Sequence, residues 1–410
     1  MPLTRRDVLK AAAAAPLVVP ARVVGRDGTP PSEEVRVGTI ASGNRAQQLM
    51  DVLPPPGRIV AISDCDARKI ESAKSRFGED WPAFGNWRDM LDDDSLELDA
   101  VIVATPDHGR ALQVVTACAA GLDVYAEKPL SLTVAEGRAM VDAARKHGRV
   151  VQVGTQQRSM PLNAYCCRAI REGRLGKVKA VLARNYAGPG PMEELPAEEP
   201  PAELDWQEWL GPAPGRPYND RLIFDWMKWR DYSGGLLTNW GAHGVDQIQW
   251  ALGQSDSGPV SLRPAGDAGQ VVAEYEGGPE VRFELDRGPL GGAIFLCEAG
   301  KIEVNRNRFA TNPKGLLPDA PPPSEATADS GPDWTGPHLA DWLRCIQTRE
   351  RPAADVAIGH RSVSFCHLVG ITREVGRPLR WDPAAERFED DAEANGLLSR
   401  PHRAGYGLPS

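Results

Sequence analysis

The stretch Val35-Arg36-Val37-Gly38-Thr39-Ile40-Ala41-Ser42-Gly43-Asn44-Arg45-Ala46 decides the fold class of the N-terminal half. Its first six residues have the pattern of a short buried strand. Ala41, Gly43 and Ala46 then occupy the three positions of the G-x-G-x-x-G/A fingerprint, and a helix is expected to follow. Together these features predict a strand–turn–helix unit whose turn can hold a pyrophosphate group.

The pyrophosphate contacts expected at this turn come from the backbone. Gly43 has no side chain, so the chain can approach a phosphate closely, and the first helical residues, Asn44 and Arg45, present N–H groups. Ala41 replaces the first glycine of the fingerprint, a change that we expect to be mild. Ala41, Gly43, Asn44 and Arg45 are therefore predicted cofactor contacts.

A second predicted strand, residues 58–63, ends at Asp64, 21 residues after Gly43. An acidic side chain at this place can accept hydrogen bonds from both ribose hydroxyls of NAD and repels the 2′-phosphate of NADP. Asp64 could instead cap the next helix, although Asp66 is better placed to do so. Arg45 and Arg68 could neutralise a phosphate, so NADP stays open as an alternative to NAD.

Strands and helices alternate as far as residue 154. Residues 99–104, 123–126 and 150–154 have the pattern of strands, and residues 111–120 and 134–146 have that of helices. This alternation predicts a parallel, doubly wound sheet, whose ligands bind at the carboxyl ends of the strands. The residues expected at those ends are Thr105, Pro106, His108, Glu127, Lys128 and Gln156.

Several stretches near these strand ends resemble a known family. They are Ala104-Thr105-Pro106-Asp107-His108, Gly121-Leu122-Asp123-Val124-Tyr125-Ala126-Glu127-Lys128-Pro129 and Gln152-Val153-Gly154-Thr155-Gln156-Gln157-Arg158-Ser159, with shorter matches at residues 204–206, 209–212 and 241–243. From Val35 to its C-terminus the chain resembles the glucose–fructose oxidoreductase/inositol dehydrogenase/rhizopine-catabolism (Gfo/Idh/MocA) family. It is most similar to an exported branch of that family.

The resemblance implies an α/β protein of two domains. An NAD(P)-binding Rossmann domain would cover residues 34–155, joined by a return helix at about 360–375. Residues 156–410 would form an α+β domain on a large open, mostly antiparallel sheet, which short predicted strands between residues 260 and 304 fit. The resemblance also suggests a homo-oligomer.

By resemblance, two residues would carry the chemistry. Lys128 would sit beside the substrate hydroxyl or carbonyl, where an ammonium group polarises the oxygen. His243, in Asn239-Trp240-Gly241-Ala242-His243, would move the proton, because the pKa of histidine lies near neutrality. His243 could instead be a capping or core histidine. The predicted substrate contacts are Arg158, Asn239 and Asp246, although Asp246 could equally orient this region.

Four positions depart from the family pattern. Besides Ala41, Asn239 stands where an acidic residue is commoner, Gly244 stands where this branch usually has a second histidine, and Arg110 stands where a histidine is usual. The loss of an acid at position 239 puts a carboxylate-tuned His243 in doubt. These departures keep a non-catalytic nucleotide- or sugar-binding protein open as an alternative.

Residues 187–232 are rich in proline and tryptophan and predict an irregular excursion over the cleft. Its aromatic side chains could stack on the C–H faces of a sugar or simply anchor the loop. These side chains are Trp206, Trp209, Trp226, Trp229 and Tyr232. Residues 311–334 are expected to form a mobile loop.

The first thirty residues have the features of an export signal and linker. Thr4-Arg5-Arg6-Asp7-Val8-Leu9-Lys10 is a twin-arginine (Tat) pattern, and a short, weakly apolar segment follows it. We therefore expect a periplasmic or otherwise extracytoplasmic location. Because the Tat route carries folded proteins, a cofactor bound in the cytoplasm can be exported with the chain.

The composition narrows the classes of partner. A formal net charge of −9 argues against nucleic acid, and no apolar run is long enough to span a membrane. Seven cysteines without a C-x-x-C pair, and scattered histidines, predict neither a disulfide framework nor a metal site.

The leading hypothesis is an exported NAD(P)-dependent oxidoreductase that acts on a sugar or glycoside by hydride transfer at a secondary alcohol. No free cofactor pool exists outside the cytoplasm, so the cofactor would be tightly bound and recycled within one cycle. Two such reactions stay open. One oxidises a first sugar and reduces a second; the other cleaves a glycoside through transient oxidation, as a hydrolase or lyase.

Overall fold

The computed structural model describes residues 33–321 and 334–409. Its first sheet has six parallel strands in the order β3-β2-β1-β4-β5-β6. The strands are β1 (Val35–Ile40), β2 (Gly57–Ser63), β3 (Ala83–Phe84), β4 (Ala100–Val103), β5 (Asp123–Ala126) and β6 (Val151–Val153). This is the doubly wound sheet that the alternation predicts.

The central strands are apolar because both of their faces are covered. Every residue of β4 and β5 is buried, as expected for strands of a parallel sheet with helices on both sides. The helices of this half are α1 (Asn44–Asp51), α2 (Ala67–Phe77), α3 (Trp87–Leu91), α4 (Asp107–Ala119) and α5 (Val134–Lys146). Asp66 caps α2 by accepting a hydrogen bond from the Arg68 N–H, and Gly78 ends it in the left-handed conformation.

The second sheet has nine strands in the order β13-β12-β11-β7-β10-β9-β8-β14-β15. Its pairings are antiparallel except for that of β7 with β10, which confirms the open, mostly antiparallel sheet. The strands are β7 (Val178–Arg184), β8 (Ser261–Ala265), β9 (Gln270–Glu274), β10 (Glu280–Leu285), β11 (Ala293–Cys297), β12 (Gly300–Asn305), β13 (Arg308–Asn312), β14 (Leu379–Asp382) and β15 (Arg387–Phe388).

The helices of the second half cover one face of this sheet and reach back to the first. They are α6 (Pro161–Arg171), α7 (Trp206–Leu210), α8 (Asp220–Phe224), α9 (Gly235–Asn239), α10 (Gly241–Leu252), α11 (Thr335–Thr348), α12 (Val356–Val375) and α13 (Ala392–Gly396). The return helix is α12, which starts earlier than expected and packs on both α5 and α10. A Cβ at Gly137 of α5 would lie 2.4 Å from Nδ1 of His360, so this close approach requires glycine.

A second helix also returns to the first domain, which the sequence analysis did not anticipate. Leu339 and Trp342 of α11 are buried in a cluster with Val35, Leu49 and Tyr125 of the first half. The two domains therefore share α11 and α12 and form one continuous body.

The excursion at residues 187–232 has a small core of its own. Trp206, Tyr218, Trp229 and Tyr232 are buried in one cluster, and the rings of Trp206 and Trp209 stack with centroids 4.9 Å apart. Most of these aromatic side chains therefore anchor the excursion, and Trp209 and Trp226 are those that also face the cavity described below.

The remaining sequence predictions concern the export signal, the loop at residues 311–334, the cysteines, membrane spans and metal sites. The twin-arginine segment and residues 322–333 of the expected loop lie outside the described residues. Residues 311–312 of that loop belong to β13. All seven cysteines are free thiols. In the described ranges, no helix is long and apolar enough to cross a membrane, and no group of three or more His, Cys, Asp or Glu side chains could hold a metal ion.

Candidate active site

A cavity of about 790 Å³ lies where the two halves meet. Its inner wall is formed by the loops that follow β1, β2, β4 and β5, at the carboxyl ends of the parallel strands. Its outer wall comes from the excursion, from the α9–α10 junction and from the β12–β13 turn. All ten predicted cofactor contacts line this cavity: Ala41, Gly43, Asn44, Arg45, Asp64, Thr105, Pro106, His108, Glu127 and Lys128.

The turn after β1 is shaped for a phosphate group. Gly43 precedes α1 in an extended conformation, and apart from its two chain neighbours no described residue has an atom within 4 Å of where its Cβ would be. No side chain caps α1, which leaves the N–H groups at its start directed at this open space. The residues present therefore fit the pyrophosphate of a dinucleotide.

Ala41 is more than a mild change. Its φ angle is +82°, in the left-handed region that glycine adopts freely and alanine does not. Ala41, at the first glycine position of the fingerprint, thus has a backbone conformation that suits glycine and that its own side chain disfavours. The protein therefore carries local strain at the loop that would contact the pyrophosphate.

Asp64 lies at the end of β2, as predicted. Its Oδ2 accepts hydrogen bonds from the Ser42 N–H (2.8 Å) and hydroxyl (3.3 Å), and its Oδ1 accepts one from the Asp66 N–H (3.0 Å). Burial raises the pKa of Asp64, while these hydrogen bonds lower it. Because Asp66 is the residue that caps α2, Asp64 is available for a ribose.

The two arginines that could have favoured NADP are engaged elsewhere. Arg68 forms two 2.8 Å hydrogen bonds with the carboxylate of Asp66. Arg45 donates from Nε to Oε1 of Glu127, 2.7 Å away, at the end of β5. These contacts favour NAD over NADP and make Arg45 a brace for Glu127.

Glu127 organises the loop that carries Lys128. Its Oε2 accepts a hydrogen bond from the Lys128 N–H at 3.0 Å, and its Oε1 accepts one from Gln156 at 3.3 Å. A Cβ at Gly154 would lie 2.9 Å from the Glu127 carboxylate, so the neighbouring strand end packs tightly against it. The backbone around Lys128 is thereby held from both sides.

Lys128 reaches from this loop to the second domain. Its Nζ donates hydrogen bonds to Oδ1 of Asn239 at 2.5 Å and to the carbonyl oxygen of the same residue at 3.3 Å. Burial lowers the pKa of Lys128, while the negative charges of Glu127 and Asp107 raise it. With a neutral amide as its nearest partner, the amine can lose its proton more readily than a lysine paired with a carboxylate.

His243 lies one turn further on, in α10, and faces the same cavity. It is buried, and among the described residues its Nδ1 has no hydrogen-bond partner. Burial, assisted by the positive charge of Lys128, lowers the pKa of His243 well below its usual value. The ring is therefore neutral near pH 7, and it lines a cavity that a substrate can enter.

Arg158 and Asp246, predicted as substrate contacts, form a buried ion pair instead. Nε and Nη2 of Arg158 donate to the carboxylate of Asp246 at 2.8–3.0 Å. Ser362 of α12 donates to the same carboxylate at 2.9 Å. In the described structure neither side chain lines the cavity, and the pair ties α10 to α12 through Ser362.

His108 is held by protein groups rather than left free for a cofactor. Its Nε2 contacts the carbonyl oxygen of Trp209 at 2.9 Å, and its ring centroid lies 5.0 Å from those of Trp209 and Tyr232. Burial lowers the pKa of His108 to about 4. His108 therefore lines the cavity mainly as an anchor for the excursion.

Arg110, one of the four departures, braces two loops of the site. It is fully buried and donates hydrogen bonds to the carbonyl oxygens of Thr105 and Pro129, one residue beyond Lys128. Its guanidinium also lies 3.5 Å from the carboxylate of Asp107. A histidine could not span both loops with the same donors.

Sequence reasoning missed several residues of the outer wall. Arg306, in the β12–β13 turn, lies with its guanidinium carbon 5.5 Å from the ring centroid of Trp240. Phe224 and Met227, in the excursion, and Trp334 and Thr335, at the start of α11, also line the cavity. No local signal marks these positions, because they meet only when the two halves fold together.

A doubly wound dinucleotide fold with a lysine and a histidine at the cofactor cleft defines a two-domain dehydrogenase-like protein. The chain belongs to the Gfo/Idh/MocA family of oxidoreductases. Residues 35–155 match the family's NAD-binding Rossmann fold, and residues 185–408 match its C-terminal alpha/beta domain. The family and the NAD-binding domain predicted from the sequence are thus confirmed.

Curated relatives match over part of their length. The levoglucosan dehydrogenase of Pseudarthrobacter phenanthrenivorans is 32% identical over 156 residues, which are 36% of this chain and 39% of that protein. The inositol 2-dehydrogenase of Acidothermus cellulolyticus is 31% identical over 185 residues, 43% of this chain and 53% of that protein. The chain thus matches between about two fifths and half of the length of these two relatives.

Solved structures share the whole fold at low identity. The aldose–aldose oxidoreductase from Caulobacter crescentus, complexed with glycerol, has a TM-score of 0.61 at 18% identity, over 85% of this chain and 99% of that one. Levoglucosan dehydrogenase, in complex with NADH and levoglucosan, has a TM-score of 0.59 at 18% identity over the same shares.

Proposed function

We propose that this protein is an exported, NAD-dependent oxidoreductase that acts on a sugar or glycoside by hydride transfer at a secondary alcohol. The observation that carries the proposal is that Lys128 and His243 line one cavity with the phosphate turn at Gly43. The groups that could hold a dinucleotide and those that could move a proton therefore share a single space.

The bound NAD would supply the hydride acceptor, at C4 of its nicotinamide ring. Lys128 would hold the substrate oxygen and, as the neutral amine that its lowered pKa favours, accept the hydroxyl proton as the carbon loses hydride. His243 lines the same cavity as a neutral ring, which suits it to orient that hydroxyl or to relay its proton. In the reverse direction the ammonium of Lys128 would polarise a carbonyl.

The proposed substrate class rests on the relatives and on the cavity. Relatives named for levoglucosan, inositol and aldose chemistry act on polyhydroxylated rings or chains. The described outer wall combines polar groups, from Asn239 and Arg306, with apolar side chains such as Trp226. Such a wall suits a sugar, whose ring has polar edges and apolar C–H faces.

Retention of the cofactor is supported by a strap that crosses the Rossmann loops, residues 203–212. Ala67 donates a backbone hydrogen bond to Glu203 (2.9 Å), and Asp205 donates one to Cys65 (2.8 Å), so the strap pairs with the chain directly after Asp64. Arg88 binds Glu208 at 2.8 Å further along. A dinucleotide beneath this strap would leave only when the strap opens.

A retained cofactor must be returned to its starting state by the substrates themselves. This requirement fits both reactions left open by the sequence, namely sugar-to-sugar hydride transfer and glycoside cleavage through transient oxidation. It also fits the twin-arginine pattern, because a protein exported in its folded state can carry NAD with it. The presence of both Lys128 and His243 in the cavity argues against the non-catalytic binding protein.

Two measurements test the proposal. The protein is purified without added nucleotide and denatured, and any released nucleotide is identified by mass spectrometry; stoichiometric NAD is expected. Lys128→Ala should then lower turnover of the best glycoside or sugar by roughly 10²–10⁴-fold while the nucleotide stays bound. A protein that neither contains nor binds NAD, or a Lys128→Ala variant with full activity, would contradict the proposal.

A further inference from the structure

The described residues expose four large hydrophobic side chains, and all four belong to segments around the catalytic end of the cavity. Phe224 is 78% exposed, Met227 40%, Leu236 46% and Leu290 42%. We refer to these four residues as the apolar collar. Single exposed apolar residues are ordinary, but their concentration around one opening is characteristic of a binding site.

Each member of the collar is tied to the proposed catalytic groups. Phe224 and Met227 line the same cavity as Lys128 and His243. Leu236 lies on α9, the short helix that ends at Asn239, the partner of Lys128.

The fourth member approaches from the second sheet. Leu290 precedes Gly291, where a Cβ would lie 3.0 Å from the Cβ of His243. Gly291 is held in place by the Tyr186 hydroxyl, which accepts its N–H at 3.2 Å. Phe224 and Met227 thus line the cavity itself, whereas Leu236 and Leu290 lie on segments that adjoin Asn239 and His243.

The outward direction of Phe224 is fixed by local structure. Asn219 caps α8 by accepting the Arg221 N–H, and Leu222 is 1% exposed within the core of the excursion. With Leu222 anchored inward, the helix turns Phe224 away from that core and toward the cavity. The exposure of Phe224 is thus fixed by the orientation of α8 and does not result from a poorly packed loop.

The apolar surface continues inward from the collar to the reacting groups. Ile223, Trp226 and Trp240 line the cavity between them. The sulfur of Met227 lies 3.3 Å from the side-chain nitrogen of Asn239. One substrate could therefore place one part in the collar and another part beside Lys128.

We propose that the apolar collar is a subsite for the aglycone of a glycoside and that it favours flat, aromatic aglycones. The inference rests on the proposed function and adds the part of the substrate that leaves the sugar. A phenyl ring can stack on Phe224, and the flexible thioether of Met227 adapts to the ring edge. A substrate suits the collar better than a second copy of the chain, because Phe224 and Met227 line the same cavity as Lys128.

The test compares two glycosides of the same sugar, a 4-nitrophenyl glycoside and a methyl glycoside, from a panel of glucosides and galactosides. Holoenzyme should have a kcat/KM at least about tenfold higher for the aryl member. The double variant Phe224→Ala/Met227→Ala should lower the aryl-to-methyl ratio by about tenfold or more. Both side chains are exposed, so the variant should fold, which its circular dichroism and melting temperature check.

Arg230→Ala provides the matched control. Arg230 lies in the same excursion, pairs with Glu374 at the surface and is absent from the described cavity lining. This variant should keep the aryl-to-methyl ratio of the unmodified protein. Equal effects of the control and of the double variant would overturn the assignment of the collar.

The remaining outcomes separate this inference from the proposed function. Equal kcat/KM for aryl and methyl glycosides, with turnover that still depends on Lys128, would overturn the collar subsite alone. A double variant that dissociates an oligomer, seen by sedimentation velocity, without changing the ratio would assign the collar to a subunit interface. Failure of every sugar and glycoside to react would instead overturn the proposed function.

Discussion

Lys128 of the first domain donates its side-chain hydrogen bond to the amide oxygen of Asn239 in the second, at 2.5 Å. The family pattern commonly places an acid at position 239, so the partner of the lysine is neutral here. A carboxylate would stabilise the ammonium form, whereas an amide leaves the effect of burial to dominate. The contact therefore sets the proton affinity of Lys128 as well as its position.

Asn239→Asp should move the pH dependence of catalysis to higher pH. In alcohol oxidation Lys128 must be neutral to accept the proton, so kcat/KM rises as pH passes through its pKa. An adjacent carboxylate raises that pKa, and the acid limb of the kcat/KM profile should shift upward by about one to three pH units. The profile is measured on holoenzyme with the best sugar or glycoside.

Asn239→Ser serves as the uncharged control for this shift. It removes the amide without adding charge, so kcat should fall through poorer positioning while the acid limb moves much less. If both variants shift the limb equally, the limb belongs to a group other than Lys128. A change in kcat/KM at all pH values with no shift would mean that Asn239 only positions the lysine.

The parallel sheet and the cofactor turn could be predicted because their signals are local. Buried parallel strands are nearly continuous apolar runs, and the turn after β1 is recognised from residues within one short stretch. The position of Asp64 and Lys128 in the cavity could be predicted for the same reason, since each closely follows a strand whose end must lie at the ligand edge.

Contacts between residues far apart in the chain could not be predicted from the local sequence pattern. Arg158 and Asp246 are 88 residues apart in the chain, and Arg45 and Glu127 are 82 apart. Each residue alone resembles a free polar group beside a ligand, and only the folded chain pairs them. Phe224 likewise has the pattern of a core residue until the register of α8 directs it outward.

Ala41→Gly should stabilise the protein. The residue has a φ angle of +82°, a conformation that costs an L-amino acid about 1–2 kcal/mol relative to its usual regions. Glycine removes that cost but loses more entropy on folding, so we expect a net gain of about 1 kcal/mol in the free energy of unfolding. Urea unfolding of the nucleotide-free protein measures it, and an unchanged or lower value would contradict the strain.

Gly43→Ala, in contrast, should have little effect on the free energy of unfolding and a large effect on nucleotide binding. Gly43 has an ordinary φ angle of −72°, and the described structure has open space around its Cβ position. A methyl group there fits the empty turn but occupies the place where a pyrophosphate would approach. We expect at least about a tenfold rise in the Kd for NAD by calorimetry. The free energy of unfolding should change by no more than about 0.5 kcal/mol, because the weaker N-cap is offset by the lower entropy of the unfolded chain. Tight NAD binding by this variant would refute the assignment of the turn.

The Arg158–Asp246 pair should act on stability rather than on substrate affinity. Both side chains are almost fully buried, and Asp246 also binds Ser362 of the return helix. Arg158→Leu leaves a buried carboxylate without its partner, so the free energy of unfolding should fall by about 3–5 kcal/mol. Adding Asp246→Leu removes the unpaired charge and should recover much of that loss, which a double-mutant cycle of urea unfolding measures. KM of the folded double variant should stay close to that of the unmodified protein. If KM instead rises steeply while stability is unaffected, the pair contacts the substrate, as the sequence first suggested.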